Sequence, residues 1–118
     1  MVEPELRITM DTDRRPAYAG VVLRVSGEID IQTSPLLDDH LQRVLAEGAS
    51  SITVDLGGVT FLDSTGLSVL IAGLKRCQTE AGDLRVVSPR PNVRKVFEVT
   101  GLIDVFQIDP PDGQATPG

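Results

Sequence analysis

The chain has 118 residues, 24% of them charged, and a formal net charge of −6. That length suits one domain whose core needs no disulfide or metal, and the acidic balance excludes the nucleic-acid backbone as the main partner and favours basic ones. A lone cysteine, Cys77, excludes an intrachain disulfide and fits a reducing, cytoplasmic setting. No run reaches the roughly 20 apolar residues that cross a bilayer. Met1-Val2-Glu3-Pro4-Glu5 also lacks the basic-then-apolar layout of a leader. A cytoplasmic protein that engages neither membrane nor nucleic acid is expected.

Residues 1–5 read as a flexible N-terminus. Leu6 to Met10 alternates apolar and polar residues, the period of a half-buried strand. Asp11 to Gly20 reads as a long loop and Val21 to Val25 as a second, β-branched strand in a hairpin with the first. Gly27-Glu28-Ile29-Asp30 is expected to leave the sheet. Ser34-Pro35 starts a helix, with Ser34 at the N-cap and Pro35 at N1; Leu37, Leu41, Val44 and Leu45 form its inner face, and Gly48 ends it. Ile52 to Leu56 is a third, central strand. A second helix spans Ser64 to Thr79 with Leu67, Leu70, Ile71 and Leu74 inward, and Leu84 to Val87 is a fourth strand. Ser88 to Asn92 opens a third helix, with Val93, Val96 and Phe97 inward, ended by Gly101 and followed by Leu102. Val105 to Ile108 reads as a last short strand. Asp109 to Gly118, with three prolines and two glycines, reads as a disordered tail. The order β-β-α-β-α-β-α-β implies an α/β fold, one sheet with helices against it and parallel pairs joined by helical crossovers.

Val54 to Leu74 carries the chemistry: a buried strand, a polar turn at Asp63-Ser64-Thr65-Gly66, and an apolar helix. The turn sets three hydroxyl or carboxyl side chains beside the free N–H groups of a helix start. Four uses fit those residue types. Asp63 or Ser64 can cap the helix, which contributes on the order of 1 kcal/mol. Ser64 as a nucleophile would need a base, and His40, the only histidine, lies on another helix; Leu62, two residues before Ser64, also breaks the Gly-x-Ser-x-Gly elbow. A nucleotide phosphate could sit at the helix start, but there is no Gly-x-x-x-x-Gly-Lys run and no Lys or Arg in the turn. A phosphoryl group on Ser64 would add about −1.5 to −2 charges, tolerated there by the helix dipole and the free N–H groups. Val69, Ala72 and Gly73 are expected to point away from the core, either as a small apolar patch for a partner with Ser64 at its edge or on a helix covered on both sides or used in a dimer contact. No catalysis, metal or cofactor is expected.

Three motifs, Gly27-Glu28-Ile29-Asp30, Val54-Asp55-Leu56 with Val59 to Leu67, and Val96-Phe97-Glu98-Val99-Thr100-Gly101-Leu102, closely resemble the anti-sigma factor antagonists. These are stand-alone STAS domains of bacterial partner-switching systems. The resemblance covers about Leu6 to Ile108, and residues 6–108 are taken as one STAS domain. It implies a mixed, mostly parallel sheet with helices mainly on one side. It implies that the unphosphorylated protein binds an anti-sigma factor that is also a serine kinase, releasing the sigma factor. The kinase would then phosphorylate Ser64 from ATP and weaken the complex, and a serine phosphatase would restore binding. Asp30 would lie beside the acceptor, and Asp63, Thr65 and Gly66 would shape the turn that the partner meets. A monomer or weak dimer is expected. The rival reading is a STAS subunit of a transporter or scaffold assembly that never accepts phosphate. The 11–20 loop, longer than in many relatives, and the lack of a further C-terminal helix depart from the pattern without touching the switch residues.

Overall fold

Apolar side chains alternate along the strands, and each strand therefore turns one row inward: Leu23 and Val25, then Ile52, Val54 and Leu56, then Leu84 and Val86 are all buried. In the computed structural model, which describes residues 6–13 and 20–110, these rows share one face of a four-stranded sheet. The strands are β1 (Leu6–Asp13), β2 (Gly20–Ile29), β3 (Ser51–Leu62) and β4 (Asp83–Val87), side by side in that order. β1 and β2 pair antiparallel, whereas β2 with β3 and β3 with β4 pair parallel. The parallel pairs are bridged by α1 (Ser34–Ala46) and α2 (Ser64–Thr79), and α3 (Pro91–Val99) follows β4.

One continuous core joins Leu37, Leu41 and Val44 of α1, Leu67, Leu70, Leu74 and Cys77 of α2, and Val93 and Phe97 of α3 to the inward rows of the sheet. Each such Leu or Val contributes about 1.5–3 kcal/mol by leaving water. The opposite face of the sheet is polar, with Thr9, Arg24 and Asp55 in one cross-strand row and Thr53 and Arg85 in another. The expected mixed sheet with helices mainly on one side is what the chain forms. Burial pushes the Cys77 thiol up, away from thiolate chemistry.

Several element boundaries differ from expectation, each for a local reason. β1 runs on to Asp13, shortening the expected 11–20 loop; residues 14–19, like 1–5 and the expected tail beyond Pro110, lie outside the described residues. Gly27 to Ile29 does not leave the sheet but forms the end of β2. β3 does not stop at Leu56; it runs for 12 residues, from Ser51 to Leu62. Two register shifts against β2 make this possible, because Arg24 to Ser26 faces Asp55 to Gly58, and Gly27 to Glu28 faces Val59 to Phe61. Each shift adds one residue to β3, a β-bulge. The first bulge contains Gly58, where a Cβ would stand 2.6 Å from the Ser26 Cβ. The buried positions therefore step from Leu56 to Val59 to Leu62 instead of alternating.

The N-cap of α1 is Thr33, so Ser34 is the first helical residue and is buried. Gly48 and Gly101 take φ of +99° and +74° at the ends of α1 and α3, as expected. The expected last strand is absent: Val105 to Ile108 is a turn in which Phe106 and Ile108 donate to the carbonyls of Leu102 and Ile103. The bond from Val86 N–H to Phe106 O, 3.0 Å, and one from Gln107 Nε2 to the Asp83 carboxylate tie it to the sheet. Phe106 is buried there, edge-on to Phe97 with ring centres 5.5 Å apart.

Candidate functional site

Because β2 and β3 are parallel, their carboxyl ends finish side by side, with Ile29 opposite Leu62. The N–H of Asp63 donates to the Ile29 carbonyl at 3.2 Å, so the two chain exits are tied together. Both exits run straight into helices, and this brings the Asp30 turn next to the start of α2.

The Asp30 turn is closed by its own side chains. Asp30 Oδ1 accepts from the N–H groups of Gln32 (2.9 Å) and Thr33 (3.0 Å), and Thr33 Oγ1 donates to the Glu28 carbonyl at 2.6 Å. The Asp30 carboxylate is thus a structural clasp as well as a charge at this edge.

At the start of α2, Asp63 is the N-cap in an extended backbone conformation. Its Oδ1 accepts from Thr65 N–H at 3.0 Å, Gly66 N–H at 3.1 Å and Thr65 Oγ1 at 2.5 Å. The Thr65 hydroxyl, with the two amides, holds the Asp63 carboxyl below the usual carboxylate range against the upward pull of desolvation. The free N–H groups expected around Ser64 are therefore mostly occupied: those of Thr65 and Gly66 already serve Asp63. Ser64 itself is exposed, and its hydroxyl has no protein partner among the described residues. Its carbonyl accepts from Ser68 Oγ at 2.9 Å.

Two of the expected partner residues turn inward instead. Gly66 is buried: a Cβ there would lie 2.4 Å from Ile29 Cγ2 and 2.6 Å from Leu62 Cδ1. Gly73 is buried too, where a Cβ would lie 3.2 Å from both Leu41 Cδ1 and Leu84 Cδ1, so it serves the α1–α2 contact and not an outer patch. Val69 is half-buried against the core, and Ala72 is exposed. The outer stripe of α2 is therefore Ser64, Ser68 and Ala72, one helical turn apart, followed by exposed Lys75.

The apolar surface at this end comes from residues not singled out by periodicity. Ile31, just past β2, is 72% exposed; Phe61, one residue before the end of β3, is 45% exposed; and Leu36 projects from the first turn of α1. Ile31 sits in a segment with no helical or strand period, and that was the one available signal. His40 Nδ1 lies 3.0 Å from the Leu36 carbonyl on its own helix, a local contact that leaves no base aimed at Ser64. Among the described residues no cluster of His, Cys, Asp or Glu is arranged to hold a metal, and no helix is long and apolar enough to cross a membrane.

A family model described as the STAS domain matches residues 7–115. The anti-sigma-B factor antagonist of Staphylococcus aureus is 31% identical over 87 residues, which are 74% of this chain and 81% of that protein. The crystal structure of an anti-sigma factor antagonist from Mycobacterium paratuberculosis superposes with a TM-score of 0.78 at 30% identity, covering 98% of this chain and 95% of that one. The anti-sigma factor antagonist SpoIIAA in its unphosphorylated form shares the fold, with a TM-score of 0.72 at 22% identity over 90% of each chain.

Proposed function

This chain belongs to the STAS domain family, and from that premise we propose that it is a phosphorylation-controlled anti-sigma factor antagonist. Its relatives are named anti-sigma factor antagonists, and we read the chain likewise as a regulatory binding protein. In this reading the unphosphorylated chain binds an anti-sigma factor that is a serine kinase, in the cytoplasm, and so frees the sigma factor. Phosphorylation of Ser64 ends that binding, and a serine phosphatase restores it. The observation that carries the reading is the exposed hydroxyl of Ser64, without a protein partner among the described residues, beside a helix start whose Thr65 and Gly66 amides are held by Asp63.

The docking edge would combine Ser64, Thr65, Val69 and Ala72 of α2 with Asp30, Asp63 and the exposed Ile31, Leu36 and Phe61. Its apolar members supply area that a partner can dehydrate. No Lys or Arg occurs in residues 25–42 or 56–74, so the carboxylates of Asp30 and Asp63 leave this edge acidic. A phosphate on Ser64 adds to that charge with no Lys or Arg in those two segments to receive it, and in this reading it remains on the surface where the partner docks. The helix start keeps its bonds to Asp63, and the domain stays folded in both states.

The reading is tested by purifying the tagged chain from its native cells. An ATP-binding serine kinase should co-purify and be released when ATP is added, leaving the chain with one phosphate. Co-purification with a membrane transporter, with no phosphate after ATP, would support the rival subunit reading and reject this one.

Asp30 is proposed to present its charge to the kinase. Asp30→Asn retains an oxygen for the Gln32 and Thr33 amides, so it separates charge from clasp. It should slow phosphorylation by about tenfold, the equivalent of one charged hydrogen bond, with little change in melting temperature. An unaltered rate would remove Asp30 from the site.

A further inference from the structure

Ser64 and Thr65 are adjacent hydroxyl residues in the first turn of α2, yet their surroundings differ. Thr65 is half-buried and its Oγ1 donates to Asp63 Oδ1, whereas Ser64 is exposed and free of protein partners among the described residues. A hydroxyl that attacks phosphorus must turn a lone pair to the phosphorus and its proton to a base. The Ser64 hydroxyl is free to turn, and the Thr65 hydroxyl is not.

We infer that Asp63 selects the acceptor, because its carboxylate holds the Thr65 hydroxyl and leaves Ser64 as the one first-turn hydroxyl open to a phosphoryl donor. The inference rests on the phosphoacceptor reading above and adds a positioning residue to it. In the transfer, Ser64 Oγ bonds to the γ-phosphorus of a nucleoside triphosphate. The bond from that phosphorus to the bridging oxygen breaks, and the nucleoside diphosphate leaves with the electron pair. The hydroxyl proton passes to a base of the kinase. The same transfer to Thr65 would first break the bond to Asp63 and then set the new phosphate against that carboxylate. Because the Thr65 hydroxyl itself holds the Asp63 carboxyl below its usual range, the clamp stays ionised throughout the neutral range.

The test uses the full chain, the co-purified kinase and ATP, with the phosphate located by mass spectrometry. Wild type should carry phosphate on Ser64 alone. In Ser64→Ala, Thr65 should be modified at least about tenfold more slowly than Ser64 in wild type, as expected for breaking a hydrogen bond to a charged acceptor. Asp63→Asn keeps an oxygen for the helix amides, so it preserves the cap while removing the charge. Adding it to Ser64→Ala should raise Thr65 modification by at least about tenfold. Without any kinase, proton NMR of the wild type should show a slowly exchanging Thr65 hydroxyl whose shift follows the titration of Asp63. Rapid modification of Thr65 in Ser64→Ala, no gain in the double variant, or a Thr65 hydroxyl indifferent to that titration would each overturn the inference. Phosphate on neither residue of the wild type is a separate result: it defeats the acceptor reading itself and the selection with it.

Discussion

Ser64→Ala should be modified by the kinase and ATP at least about tenfold more slowly than the parent while still binding the kinase, and Ser64→Asp should bind it at least about thirtyfold more weakly. Both should melt within about 4 °C of the parent, since an exposed substitution outside any bonded network changes stability by no more than about 0.5 kcal/mol. The physical grounds are specific to this position. The Ser64 hydroxyl holds nothing among the described residues, so losing it costs their packing nothing. A carboxylate at the first position of α2 even complements the positive end of the helix dipole, worth about 0.3–1 kcal/mol at such a site. In a docked complex the same carboxylate meets no cation from its own strand and helix start, because residues 56–74 contain none. It must either be desolvated unpaired or be set against other negative charges, which costs several kcal/mol. Calorimetric binding and thermal melting on the same samples check both halves. Full modification of Ser64→Ala would move the acceptor elsewhere, and a large loss of stability in Ser64→Asp would reduce Ser64 to a structural residue.

Gly66→Ala should act in the opposite sense, damaging the fold first. The added methyl would meet Ile29 Cγ2 and Leu62 Cδ1 at 2.4 and 2.6 Å, both on buried side chains at the two strand ends that carry the site. Overpacking of this kind costs about 1–3 kcal/mol, or a fall in melting temperature of about 4–8 °C for each kcal/mol in a domain of this size. Ile29 is β-branched and stiff, so relief comes from moving the start of α2 away from the sheet, and with it Ser64 and the Asp63 cap. Phosphorylation should therefore slow even at temperatures where the protein remains folded. Gly73→Ala on the same helix is the contrast. Its methyl would meet only the ends of Leu41 and Leu84, at 3.2 Å, and the helix gains about 1 kcal/mol of propensity. Equal losses from the two substitutions would show that Gly66 is not a special contact.

Where local chemistry and long-range packing agree, the sequence could be read directly. Asp63 before an apolar helical period marks the start of α2, and Gly48 and Gly101 mark the ends of α1 and α3, because cap and left-handed positions depend on few neighbours. The continuation of β3 past Leu56 is not legible, because glycines such as Gly57-Gly58 serve strand ends and bulges alike. What distinguishes them is the partner strand, and Ser26, whose side chain lies where a Cβ on residue 58 would go, is remote in sequence. Val105 to Ile108 imitated a strand because burial alternates there, exposed Val105 and Gln107 against buried Phe106 and Ile108. A turn with Gln107 at φ +55° produces the same alternation without a ladder. Gly73 was placed outside because a helical wheel does not reveal where a second helix crosses closely. In the site, the helix start at Asp63-Ser64-Thr65 and its capping are legible in the residue types. The engagement of the Thr65 hydroxyl is not, since it depends on a rotamer and not on spacing.

The two bulges in β3 make that strand a device for counting. One extra residue reverses which side chains face inward, and a second restores the original sense, so Leu62 arrives buried and Asp63 emerges at the edge. Removing a single residue between Gly57 and Phe61 would leave the count odd, bringing Leu62 to solvent and the cap carboxylate towards the core. Removing one from each bulge would restore parity and shorten the strand by two. Insertions and deletions in this segment are therefore compatible with the switch only in even numbers.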